Sequence, residues 1–138
     1  MRPLLDTNVL IDVALGRPGL HEASGAVLTW SLNHPGSSLL AAHSLATFWD
    51  LIGRTAGPAK TREFIADLAE GMDIAAVDNQ EVKRALALPL PDFEDALIAA
   101  AAESADATHI VTRNTAGFRK SPVKAVTPEE FVRLVAKS

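Results

Sequence analysis

The chain has 138 residues, no cysteine, and 13 basic against 17 acidic side chains, a formal net charge of −4. This length suits one domain over residues 1–138, the 48% apolar content suffices for a core, and the missing cysteine excludes disulfides and thiolate metal sites. The charge excludes a broadly basic nucleic-acid surface, so any contact with RNA or DNA needs local positive charge or a bound cation.

The opening MRPLLDTN has no basic-then-apolar leader, and the alanine-rich run Ala96–Ala102 is too short to span a bilayer. A reducing, cytoplasmic setting without membrane attachment is therefore expected.

Arg2–Leu5 reads as a short apolar strand, and Asn8–Leu15 as a helix stopped by Gly16-Arg17-Pro18-Gly19. Leu20–Asn33 repeats apolar residues at helical period through Ala23, Ala26, Val27 and Trp30, and His34-Pro35-Gly36 ends it. Ser38–Ala42 is a small-apolar run of strand length. Ser44 is placed to cap a helix carrying Leu45, Phe48, Trp49, Leu51 and Ile52 as far as Gly57, and Pro58 opens the next, which runs to Gly71. Ile74–Val77 reads as a buried strand, and Asp78-Asn79-Gln80-Glu81 as a capping box before Val82, Ala85 and Leu86. Pro89-Leu90-Pro91 breaks the chain ahead of a helix over Asp92–Ser104. His109–Thr112 is a β-branched strand, Val123–Val126 another strand, and Thr127-Pro128-Glu129-Glu130 opens a last helix. Strands alternate with helices throughout. That predicts an α/β fold: a parallel sheet of five short strands between helices, a three-layer α/β/α sandwich.

The chemistry is carried by acids at element ends. Asp6 stops the apolar run Leu4-Leu5 and precedes Thr7-Asn8, so it sits where a strand gives way to a helix. Ligands of open α/β sheets bind at that end of the strands. A carboxylate there suits Mg²⁺ or Mn²⁺; Asp is equally a common helix cap. Asp92 and Asp95 share one face of a helix start, where capping alone would also place them. Glu94 in the same turn points elsewhere and reads as solvated. Val111-Thr112-Arg113-Asn114 is a second strand end of the same kind, so adjacent parallel strands would bring Asp6, Asp95, Thr112 and Asn114 together. Arg113, Arg119 and Lys120 are the densest basic group, either a substrate-binding patch or a solvated loop. Of the four histidines only His43 lies near the proposed site, and Trp30 and Trp49 read as core.

Taken in order, the stretches Leu4–Asp12, Asp92–Ala100 and Ile110–Asn114 with Phe118 resemble the PIN-domain nucleases, and within them the small prokaryotic VapC toxins. The resemblance implies an acidic cluster holding one or two Mg²⁺ or Mn²⁺ ions, endoribonuclease activity on RNA, a homodimer and a cognate antitoxin. By motif, Asp6 is the first acidic position and Asp95 the third, Asp92 is an added ligand, and Asn114 lies in the fourth region. Thr7, Asn8, Ser44, Thr47 and Thr112 would orient water or the carboxylates. Two positions depart from the pattern. Thr47 stands where Glu is expected, with Asp50 one turn on as the replacement ligand, and Gly117 stands where an acid commonly precedes Phe118. This thinner acid set makes a non-cleaving RNA- or protein-binding module the alternative. A phosphatase lacks support, because Asp6-Thr7-Asn8 offers no second Asp two residues on.

Overall fold

Strand β1 (Pro3–Leu5) divides the molecule, because its successive side chains face opposite ways. Leu4 joins a core with Leu39, Ile110 and the alanines from Ala96 to Ala102. Leu5 joins the other, with Val9, Leu10, Leu40, Phe48, Val111, Val126 and Phe131. The computed structural model describes residues 1–137. After β1 come α1 (Thr7–Leu15), α2 (His21–Asn33), β2 (Leu39–Ala41), α3 (Ala42–Ala56) and α4 (Pro58–Gly71). Then follow β3 (Asp73–Ala75), α5 (Asn79–Ala87), α6 (Phe93–Ser104), β4 (His109–Val111), a 3-10 turn (Thr115–Phe118), β5 (Ala125–Val126) and α7 (Pro128–Ala136).

The five strands lie in the order β3-β2-β1-β4-β5, and every pairing is parallel. Helices cover both faces, as expected of a three-layer α/β/α sandwich. The chain builds outward from β1 through β2 and β3, then returns to its other side with β4 and β5. The crevice at the carboxyl ends of β1 and β4 is therefore the switch point of the sheet, the place where such folds bind ligands. Helix α6 approaches closely because Ala99, Ala100, Ala101 and Ala102 present nothing larger than a methyl group and are almost fully buried. Both expected capping boxes are formed, Asp78 with Glu81 and Thr127 with Glu130.

Three local readings change. Ser44 does not cap α3: β2 runs straight into the helix, Ala41 holds the cap position, and Ser44 is buried in the first turn. The third strand is Asp73–Ala75 and not a buried one. It has β2 as its single neighbour, so Asp73 and Ile74 are exposed. The 3-10 turn has no periodicity to announce it; it drops Phe118 into the core beside α6. No helix among the described residues is long and apolar enough to cross a membrane.

Candidate active site

Asp6 follows β1 directly, and its N–H donates to the carbonyl of Val111 at 2.9 Å, tying it to the end of β4. Both readings of this residue hold at once. Its Oδ1 accepts from the Thr7 N–H at 2.7 Å, which caps α1, while Oδ2 accepts from the Thr112 hydroxyl at 2.8 Å and the Asn8 amide at 3.3 Å. Thr112 Oγ1 in turn accepts from the Asn114 N–H at 3.0 Å, and Asn8 Oδ1 from the Arg113 N–H at 3.4 Å. Asp6, Asn8 and Thr112 thus form one network across the switch point. Each donor to Asp6 is neutral. Burial pushes the Asp6 carboxyl above its ordinary value, against the opposing pull of the Thr112 and Thr7 hydrogen bonds.

The second carboxylate comes from α6. Asp92 caps that helix, its Oδ1 accepting from the Asp95 N–H at 2.9 Å. Asp95, half-buried in the first turn, is pushed up to about 6 by burial and then by the charges of Asp6, Asp92 and Glu94. The repulsion that Asp6 exerts on it places the two acids in one electrostatic neighbourhood, although they come from distant parts of the chain. Gly117 keeps this space open. A Cβ on it would lie 2.7 Å from Asn114 Nδ2 and 2.9 Å from Asp95 Oδ2, so the Asn114 and Asp95 side chains flank the same small volume.

Other expected residues fall elsewhere. Glu94 is exposed, as expected, but it does not point away: its charge acts on Asp6, Asp95 and His43, so it belongs to the acidic rim. A helical-wheel argument about capping alone missed it. Asp50 is exposed on α3 beside Trp49, Gly53, Arg54 and Pro58, and it is not among the charges acting on Asp6 or Asp95. Thr47 is turned inward on its own helix, its hydroxyl donating to the His43 carbonyl at 3.4 Å. Arg113 is engaged by Asp12, with Nε 2.8 Å from Oδ2. Arg119 and Lys120 are exposed and line a cavity of about 440 Å³ with Pro89, Leu90, Pro91 and Ala116. Trp30 is half-buried, stacked on His34 and edge-on to Phe131; Trp49 lies under the Arg62 guanidinium.

Whether these donors suit a cation is decided by their chemistry. Among the described residues, no three His, Asp, Glu or Cys side chains stand close enough to hold a metal by themselves. What the site offers is the oxygen of the Asp6 and Asp95 carboxylates, with the Asn114 amide beside them, its Nδ2 toward Gly117 and its oxygen the one atom of that group able to accept a cation. That set fits a hard cation that keeps several waters, as Mg²⁺ does. The volume kept free by Gly117 lies at its edge.

A doubly covered parallel sheet with an acidic pair at its switch point is an open α/β fold whose ligand crevice lies at the carboxyl ends of its strands. The chain belongs to the PIN domain family, whose model matches residues 2–116. No curated protein matches it in sequence. Solved structures agree on the fold. A toxin-antitoxin complex from Klebsiella pneumoniae is 24% identical with a TM-score of 0.71, over 91% of this chain and 97% of that one. VapBC2 from Rickettsia felis, bound to a DNA fragment from its promoter, is 15% identical at 0.71, over 92% and 98%. VapC20 from Mycobacterium tuberculosis, a toxin that cleaves the sarcin-ricin loop, is 17% identical at 0.63, over 78% and 86%.

Proposed function

We propose that the protein is a Mg²⁺- or Mn²⁺-dependent endoribonuclease, the toxin of a toxin–antitoxin pair, working as a homodimer restrained by a cognate antitoxin. The observation that carries this is the pair Asp6 and Asp95. They are drawn to one edge of the sheet; both are raised chiefly by burial, Asp95 also by the charge of Asp6, and the Arg113 cation that acts on Asp6 is itself paired with Asp12. The structural likeness to toxins crystallised with their antitoxins supports the biological setting.

Asp6, Asp95 and Asn114 are the groups that would hold the cation, with Asp92 one turn from Asp95 able to reach it through water. When bound, the cation supplies positive charge against the scissile phosphate and acidifies the water that attacks phosphorus. The chain's own part is preorganisation. Thr7, Asn8 and Thr112 fix both Asp6 oxygens, so that carboxylate does not reorient during the reaction. Arg119 and Lys120 supply the local positive charge that a strand of RNA needs beside an acidic protein.

The test is Mn²⁺-dependent cleavage of RNA by Asp6→Asn and Asp95→Asn. Each substitution is expected to lower the rate by about a hundredfold or more while circular dichroism stays unchanged. Undiminished cleavage in either variant refutes the assignment. Thr47 and Gly117, standing where the family pattern places acids, favour one rival, a non-cleaving RNA- or protein-binding module. Calorimetry separates the two, because that rival takes up no Mn²⁺ at millimolar concentration.

A further inference from the structure

The first turn of α3 carries buried polar groups that the network around Asp6 does not use. Ser44 is fully buried and its Oγ has no hydrogen-bond partner among the described residues; both ring nitrogens of His43 are covered, and the group that acts on them is Glu94 at the start of α6. A buried polar group without a good hydrogen bond destabilises the fold, so a histidine serving only as core would be a poor choice here. The helix start itself is also bare. Ala41 supplies no side-chain cap and the first turn holds no acid, whereas α1 and α6 are capped by Asp6 and Asp92. Such a start leaves backbone N–H groups and the positive end of the dipole for an anion. Its position is set by register. Leu5 pairs with Leu40, so the residues after β2 stand level with Asp6 after β1.

We propose that His43, Ser44 and the uncapped first turn of α3 form a phosphate-binding element that seats the RNA strand next to Asp6 and Asp95. The inference rests on the nuclease reading. Burial lowers the His43 pKa, so at neutral pH the ring is uncharged, with one N–H to give and one nitrogen to receive. The N–H of the ring, the Ser44 hydroxyl and the backbone N–H groups are donors to a phosphate oxygen. In the free protein the anion facing the ring is Glu94, whose charge and backbone both act on His43. The Glu94 side chain is exposed in the first turn of α6, and in the proposed complex a substrate phosphate takes the place of its carboxylate. Thr47 donates to the His43 carbonyl and holds this turn in shape.

The experiment measures binding of a fluorescently labelled, mixed-sequence RNA oligonucleotide to protein carrying Asp6→Asn, which retains the substrate uncut. Adding His43→Leu is expected to weaken binding about tenfold, the loss of one charge-assisted hydrogen bond, and to raise the melting temperature because two covered ring nitrogens are gone. His43→Gln, which keeps a donor, recovers most of the binding and stands in for His43→Leu should that variant not fold. Glu94→Gln tightens binding by removing the competing anion. In cleavage assays, His43→Gln on the otherwise wild-type chain shifts KM more than kcat. RNA binding unchanged by His43→Leu, with wild-type cleavage intact, overturns the phosphate site alone. A wild-type protein that neither binds RNA nor cuts it with Mn²⁺ overturns the nuclease reading and this site with it.

Discussion

Asp6 and Asp12 lie on the same short segment, both are buried, and the protein treats them in opposite ways. Asp12, with 0% of its side chain exposed, is met by two guanidinium groups: Arg113 Nε is 2.8 Å from Oδ2 and Arg17 Nη1 is 3.5 Å from Oδ1. The Ser24 hydroxyl donates to it at 3.0 Å. It therefore ties α1 to α2 and to the loop after β4. Asp6 receives hydrogen bonds only from neutral groups; the charge of Glu94 raises it, and the Arg113 charge that lowers it is already paired with Asp12. A structural carboxylate is neutralised from within; one kept for a ligand is held still and left with its charge. The contrast teaches that burial alone does not mark the functional acid. The sign of its neighbours does.

The largest expected effect tests that contrast directly. Asp12→Asn removes the buried negative centre that two part-exposed guanidiniums are held against. It should cost about 3 kcal/mol of stability, a fall of about 10 °C in melting temperature. The same change at Asp6, measured in EDTA, relieves repulsion and should leave stability within about 1 kcal/mol of wild type. Urea denaturation of the two variants side by side decides it. Equal losses would mean that both acids are structural, and the distinction drawn between them would be lost.

A smaller effect follows from the acidic pair's titration. Asp95 binds its proton more tightly in the folded state, near pH 6 against an ordinary 3.8. A raised carboxylate contributes stability that is fully present below the unfolded value and is lost as pH rises through the folded one. Metal-free protein should therefore lose stability from this group between about pH 4 and pH 6. The loss is about 1 kcal/mol, since solvent screens a group this exposed. Asp6, also raised, acts in the same direction. Glu81 and Glu130 act in the other. The Asp78 and Thr127 backbone N–H groups hold them low, so they withdraw stability as pH falls. The difference between wild type and Asp95→Asn isolates the site. A saturating divalent cation should reverse that difference, because it binds the charged form and stabilises the wild type more than the variant that has lost a ligand. Parallel pH profiles for the two proteins would remove the electrostatic argument.

The acids at the switch point were legible because their signals are local. A strand ending in Asp6 and a helix opening with Asp92 and Asp95 can be read from a few consecutive residues, and the sheet order then brings them together. Partners supplied by folding were not legible. Arg113 reads as a free cation until the fold places it against Asp12, from the opposite end of the chain. Asp50 shares a face with Thr47 by helical period, but α3 carries it about 4.5 Å further from the sheet edge on which Asp6 lies. Glu94 was misplaced for the converse reason: first-turn geometry predicts who caps the helix, not whose charge reaches across the crevice. Periodicity gives faces of elements; it does not give which end of an element abuts another.

Gly117 offers the finest test of the same contrast, because it acts on the unneutralised acid without touching any charge. A methyl group there would sit 2.9 Å from Asp95 Oδ2 and 2.7 Å from Asn114 Nδ2, closer than real contacts allow. Both atoms are ends of side chains and can move aside, so Gly117→Ala should change stability by less than about 1 kcal/mol. They would then no longer flank the volume that the cation needs. Cleavage should fall about tenfold with little change in RNA affinity, the mark of lost positioning. The Asp12 cluster lies outside this crowding, and its contribution to stability should be unaltered in a double variant with Asp12→Asn, the two effects adding. Full activity in Gly117→Ala would show that the space beside Asp95 is not used.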